Sequence, residues 1–223
     1  MNDNLDRQKI FWDFELKNFN SIYTGQKPKH KAWMDRVFRK DMYERYEFTI
    51  KHCDPIKGKT FLDVGCGTGI YSVELAKKGA KYVTGLDISP NMIQASKESA
   101  RSNHVGNRCS FILSDLLEYD TKTNYDVTIG IGLFDYIENP LPVLRRMRDV
   151  TRDKIIISFP RLNTWRAPVR KIRLACKGCD VYFYRKNHLE KLLVSAGFSC
   201  SIIKVIGKLY CVVAFCYSEN LSG

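Results

Sequence analysis

The chain has 223 residues, enough for one full hydrophobic core, and a second domain is not expected. Its 44% hydrophobic and 27% charged residues are ordinary for a globular protein, and no apolar run approaches the length of a membrane span. The net charge of +12 fits an anionic substrate, nucleic acid or an anionic membrane surface, and equally a basic surface that is merely well solvated.

The N-terminus, Met1 to Arg7, is polar and lacks a signal-peptide core, so a cytoplasmic location and reduced cysteines are expected. Residues 1–55 read as a mainly helical N-terminal extension. Phe11, Trp12, Phe14, Leu16 and Phe19 form an aromatic-rich stretch that packs into a core or roofs a pocket. Ser21 to Gly25 reads as a break. Trp33, Val37, Phe38, Met42, Tyr46 and Phe48 then predict a helix reaching toward Cys53. Its other face carries Arg36, Arg39, Lys40 and Arg45, charges that usually only solvate a helix. Gly58-Lys59-Thr60 is similar to the end of a phosphate-binding loop, but it precedes a strand and Cys53 stands where the earlier glycine is needed, so that reading is rejected.

Residues 56–159 alternate between two periods. Strands are predicted over 61–65, 82–86, 109–113, 125–130 and 154–159, with helices over 70–78, 90–103 and near 140–150 between them. Such alternation implies a parallel sheet with helices on both faces, and ligands at the carboxyl ends of the strands. Gly65, Asp87, Asp115 and Gly130 all fall at or just past such ends. The first strand carries Phe61, Leu62 and Val64 and runs into Gly65, Gly67 and Gly69, where a helix opens. A strand, a glycine turn and a helix N-terminus together make a nucleotide-type site. Asp87 lies about twenty residues further on, where a ribose needs an acceptor. Asp63 stands where a dinucleotide fingerprint carries an apolar residue, and the spacing Gly65-x-Gly67-x-Gly69 departs from G-x-G-x-x-G. An acidic residue before the turn suits a cationic, amino-acid-like nucleoside better than the pyrophosphate of NAD.

Leu62-Asp63-Val64-Gly65-Cys66-Gly67-Thr68-Gly69 resembles motif I of the class I S-adenosylmethionine-dependent methyltransferases. Gly85 to Met92 resembles that family's ribose-binding stretch, Ser114-Asp115-Leu116 its adenine-flanking stretch, and Tyr125 to Gly130 its motif IV. The four motifs stand in family order and cover the middle of the chain. The resemblance implies a Rossmann-like α/β fold ending in an antiparallel strand pair, with S-adenosylmethionine as cofactor. Asp63 and the Gly65–Gly69 backbone would hold the amino-acid end. Cys66 would be a small filler beside the cofactor. Asp87 would take the ribose hydroxyls, with Ile88 and Met92 beside the adenine. Asp115 would face the adenine amino group, Leu116 would pack on the ring, and Gly130 would line the methyl site. The resemblance also marks Tyr23 as an aromatic residue that could fold over the cofactor. A fainter likeness, in Phe19 to Tyr23 and in Asp87-Ile88-Ser89, points to the magnesium-protoporphyrin O-methyltransferases.

After the fourth strand, Asp135 and Tyr136 stand where small-molecule methyltransferases often carry paired histidines. Either could hold or deprotonate a hydroxyl, or Asp135 could cap the next helix while Tyr136 packs. An Asn-Pro-Pro-Tyr-type motif of base methylation is absent, which weakens a DNA or RNA substrate. Residues 160–185 form an insertion crowded with Arg161, Arg166, Arg170, Lys171, Arg173 and Lys177. As a substrate-shaping segment it would clamp a carboxylate or phosphate, rest on an anionic membrane beside a lipid-like substrate, or simply stay solvated. Cys176 and Cys179 form one C-x-x-C pair with His188 beyond it; a zinc site would need further ligands, and no metal is expected. Residues 186–223 read as a helix stopped by Gly197 and two β-runs, 198–206 and 209–217. The expected activity is O-methylation of a small or lipid-like anionic molecule. The alternatives are a non-catalytic cofactor-binding regulator and an RNA methyltransferase using the basic face.

Overall fold

A computed structural model describes residues 7–8, 10–11, 29–162, 164 and 180–216; side chains are described from residue 40 onward within the first long helix. That helix, α1, spans Lys29–His52. Then follow β1 (Thr60–Val64), α2 (Ile70–Lys77), β2 (Tyr82–Asp87), α3 (Pro90–Ser102), a 3-10 turn (Gly106–Arg108) and β3 (Cys109–Leu113). The second half holds β4 (Tyr125–Gly130), α4 (Pro140–Asp149), β5 (Thr151–Pro160), α5 (Lys186–Ser195), β6 (Cys200–Ile206) and β7 (Leu209–Phe215). The predicted elements of the core are all present. The largest difference is β5, which begins three residues earlier than its apolar run because Tyr125 pairs with Thr151 across a register shift.

The seven strands form one sheet in the order β3-β2-β1-β4-β5-β7-β6. The first five strands pair in parallel, and β7 runs antiparallel between β5 and β6. This is the doubly wound, Rossmann-like arrangement with a C-terminal antiparallel pair. Chain order reverses at β1 and β4, so the crevice outside their carboxyl ends is the place for a ligand.

Side-chain alternation divides the core between the sheet's two faces. Leu62, Val64, Ile155 and Ile157 pack with Leu144 and Met147 of α4 and Leu189 and Leu193 of α5. Phe61, Val83, Ile129 and Ile156 pack with Phe48 of α1, Leu75 of α2 and Ile93 of α3. Strands buried on both faces read as near-continuous apolar runs, which is why Ile155-Ile156-Ile157 carries no polar alternation. Ser89 caps α3 by accepting the Met92 N–H at 3.2 Å, with Pro90 at the first helical position.

The described ends of the 160–185 insertion are stitched together beside β5. Leu162 N–H donates to Tyr184 O, Tyr184 N–H donates to Pro160 O, and Phe159 stacks on Phe134 and meets Tyr184 edge-on. Cys53, Cys66, Cys109, Cys200, Cys211 and Cys216 are free thiols. Among the described residues no helix is long and apolar enough to cross a membrane, and no His/Cys/Asp/Glu group could hold a metal ion. The C-x-x-C pair lies outside the described residues.

Candidate active site

The crevice at the carboxyl ends of β1, β2 and β4 encloses a cavity of about 270 Å3. Its floor is the turn after β1. Gly65, Gly67 and Gly69 have φ of +69°, +54° and +78°, a left-handed run that side chains resist. The Cys66 N–H donates to Leu86 O at 2.9 Å and the Gly69 N–H to Cys66 O at 3.0 Å, which fixes the turn against β2. Gly85 supplies the space: a Cβ there would stand 2.7 Å from the Phe111 ring and 2.9 Å from Cys66 Sγ. Left-handed backbone at 65, 67 and 69, and side-chain crowding at 85, thus call for glycine at all four positions.

Asp87, at the tip of β2, organises the adjoining wall. Its Oδ2 accepts the Gly67 N–H at 2.8 Å and its Oδ1 accepts the Ser89 N–H at 2.9 Å. Two backbone donors hold the carboxylate at the cavity edge, where the sequence places a ribose acceptor. Ile88 and Met92 lie beside it, and Leu116 closes the far side. Asp115 accepts the Leu117 N–H at 2.7 Å and also reaches the lining.

The opposite half is formed by the loop after β4. The Gly132 N–H donates to Ser158 Oγ at 2.9 Å, the Tyr136 N–H to Leu133 O at 3.2 Å and the Tyr182 N–H to Asp135 O at 2.9 Å. These bonds bring Asp135, only 5% exposed, and Tyr136 to the cavity. Thus Gly65, Cys66, Gly67, Asp87, Ile88, Met92, Asp115, Leu116, Asp135 and Tyr136 all line this one cavity.

Four of the expected site residues stand away from the lining. Asp63 is not on the lining: it is 2% exposed beneath the turn and accepts the Ser72 hydroxyl at 2.6 Å. It ties β1 to α2 and sets the field under the glycines. Burial, aided by the Asp87 charge and opposed by the Ser72 hydroxyl, pushes its carboxyl up to about 7. Gly69 caps α2 and faces Ser96 and Phe111, not the cavity. Gly130 is still within β4 and faces Met147 and Ile157; its neighbours Ile131 and Gly132 take the lining position instead. Arg161 points to the far edge of the sheet, where its Nη1 donates to Gly207 O at 2.8 Å and its guanidinium lies 5.5 Å from the Tyr210 ring centre. Tyr23, Arg166 and Arg170 lie outside the described residues.

Two contributions escaped the sequence reading. Arg45 of α1 reaches the lining beside Gly132 and is its one Lys or Arg among the described residues. It sits on a helix whose other charges look identical in sequence, and only packing of α1 against β7 singles it out. Gln8, with no motif around it, lines the cavity and donates to Tyr136 O at 2.7 Å. Tyr71 also lines the cavity; it follows the glycine turn closely, so its position was available from the motif.

The chain is similar to several known methyltransferases. The chain is 42% identical over 92 residues to a proposed protein N5-glutamine methyltransferase of Methanocaldococcus jannaschii, a match covering 40% of this chain and 45% of that one. It is 29% identical over 121 residues to a ubiquinone biosynthesis O-methyltransferase of Vibrio campbellii, covering 53% and 50%. The chain spans about half or less of the length of the curated relatives it matches. The crystal structure of magnesium protoporphyrin IX methyltransferase from Synechocystis PCC 6803, with bound SAH, superposes with a TM-score of 0.75 at 20% identity, over 95% of this chain and 99% of that one. At that identity the likeness speaks for the fold. The sequence profile of the methyltransferase domain matches residues 56–197, which contain every strand from β1 to β5, the glycine turn and Asp87. With more than half of its length matched, the chain belongs to the methyltransferase-domain family.

Proposed function

We propose that this protein is an S-adenosylmethionine-dependent methyltransferase that methylates an oxygen of a small molecule. The observation that carries the reading is Asp87, held by the Gly67 and Ser89 N–H groups at the edge of a glycine-floored cavity. The residues present suit the cofactor. Asp87, Asp115 and Asp135 stand against the single described cation, Arg45, which favours a positively charged ligand. Gly65 and Gly67 leave room for close backbone approach. Arg45 would take the amino acid carboxylate, Asp87 the ribose hydroxyls, and Met92 and Leu116 the adenine faces. Asp63 would act from beneath, by tying the turn to α2 through Ser72.

When bound, the cofactor supplies a methyl group on a sulfonium, ready for displacement. The chain's own task is alignment, and orientation alone contributes about 7–11 kcal/mol in favourable cases. Asp135 would accept the proton of the acceptor hydroxyl, and Tyr136 would orient it. Both are held by the pinned backbone of the loop after β4. The described lining favours a proton-bearing hydroxyl at this end. Recognition of an anionic part of the acceptor would fall to Arg166 and Arg170.

Titration calorimetry of S-adenosylmethionine and S-adenosylhomocysteine, with NAD as control, tests the cofactor. Clear binding that weakens about 10- to 150-fold in Asp87→Ala, the loss of one charge-assisted hydrogen bond of about 1.5–3 kcal/mol, is the expected result. Binding of NAD, or of none of the three, would refute the proposal.

A further inference from the structure

We infer that Ser158 is a positioning residue of the cofactor site: from behind the cavity wall it holds the Gly132 turn on which the Arg45 guanidinium rests. This deepens the reading above, in which Arg45 takes the amino acid carboxylate, and rests on it. Ser158 interrupts the apolar run of β5. It is 0% exposed, between Ile157 and Phe159, which are equally buried. A polar group sealed into such a strand costs stability unless it is paired. Its partner is Gly132, whose N–H donates to Ser158 Oγ at 2.9 Å.

The bond falls where the sheet stops supporting the backbone. β4 ends at Gly130, paired with Ile157 of β5, so Gly132 lies past the last described pair of that ladder. Gly132 has φ of +81°, a left-handed turn at the start of the loop that carries Asp135 and Tyr136. Alternation along β5 puts Ser158 on the same face as Ile156, which packs with Phe48 of α1, whereas Ile157 and Phe159 belong to the core on the other face. Arg45 comes from that same helix. Its Nη1 lies 3.9 Å from where a Gly132 Cβ would stand, ordinary van der Waals contact. Cys211 of β7 pairs with Ser158, and the Arg45 charge reaches it too: burial pushes that thiol up to about 11, and Arg45 opposes the rise. Arg45 and Gly132 line the cavity, and Ser158 stands behind them. Without the serine acceptor the Gly132 N–H must turn toward another, the peptide plane tips, and the surface beneath the guanidinium shifts. The adenine side is built by Met92 and Leu116, from other elements of the fold.

The experiment is titration calorimetry of S-adenosylhomocysteine and 5′-methylthioadenosine into the full chain, as wild type, Ser158→Ala, Arg45→Ala and the double variant. Ser158→Ala should weaken S-adenosylhomocysteine about fivefold, the factor set by one neutral hydrogen bond. It should leave 5′-methylthioadenosine, which lacks the amino-acid end, unchanged. In the Arg45→Ala background the same change should cost S-adenosylhomocysteine nothing further, because the two residues act on one contact. Ser158→Cys, close in size but a weak acceptor, should fall between wild type and Ser158→Ala, and it carries the comparison if the alanine variant fails to fold. Wild-type affinity for S-adenosylhomocysteine in Ser158→Ala would overturn the assignment. So would equal losses for both ligands, the mark of a general loosening, or a full fivefold loss in the Arg45→Ala background. A wild-type chain that binds no S-adenosylhomocysteine would overturn the cofactor reading first, before any variant is compared.

Discussion

Replacing Asp63 by Asn should change how stability depends on pH more than it changes stability itself. Asp63 is buried beneath the glycine turn, with one described hydrogen bond, from Ser72, and the Asp87 charge nearby. Its carboxyl is pushed from 3.8 up to about 7, chiefly by burial. The folded chain therefore binds this proton more tightly than the unfolded chain does. The contribution is fully present below about pH 4 and is lost as pH rises through 7. At 1.36 kcal/mol for each pH unit, the window is worth about 4 kcal/mol. An Asn has no such titration. Its oxygen can still accept the Ser72 hydroxyl, while its new NH2 group needs a partner, at a cost of about 1–3 kcal/mol that does not vary with pH. Urea unfolding of both proteins from pH 4 to pH 8.5 gives the stability difference at each pH. The wild type should lose ground to Asp63→Asn steadily across that range, by a total of about 4 kcal/mol. A difference that stays constant with pH would refute the claim that Asp63 is a strained buried carboxylate.

Two further outcomes follow from the site's geometry. Arg45→Ala should weaken S-adenosylhomocysteine by about 10- to 150-fold, a lost charge-assisted bond, yet leave 5′-methylthioadenosine, which has no carboxylate, unchanged in calorimetry. Equal losses for both ligands would place Arg45 elsewhere than at the carboxylate. Gly85→Ala drives a methyl into Phe111 and Cys66 Sγ, at 2.7 and 2.9 Å. Overpacking of this kind costs about 1–3 kcal/mol, a fall in Tm of roughly 2–12 °C in differential scanning calorimetry.

The sequence by itself determined the alternating core, the glycine turn and Asp87, because each depends on local chemistry. Period-2 and helical apolar runs fix element type, left-handed turns require glycine, and a strand's carboxyl end is set by its own length. The same locality explains why Asp135 and Tyr136 could be named: they follow β4 directly. Only the tertiary structure decided the rest. Asp63 and Asp87 are both acidic and both flank the motif, but strand alternation turns Asp63 inward to Ser72 while Asp87, at a strand tip, meets the cavity. Arg45 and Arg161 are equally basic in sequence; packing of α1 on β7 brings the first to the cavity, and the antiparallel pairing of β5 with β7 carries the second to Gly207. Gln8 reaches the cavity beside Tyr136, 128 positions away in the chain. Contacts of that kind depend on how whole elements pack, and no periodicity or spacing along the chain encodes them.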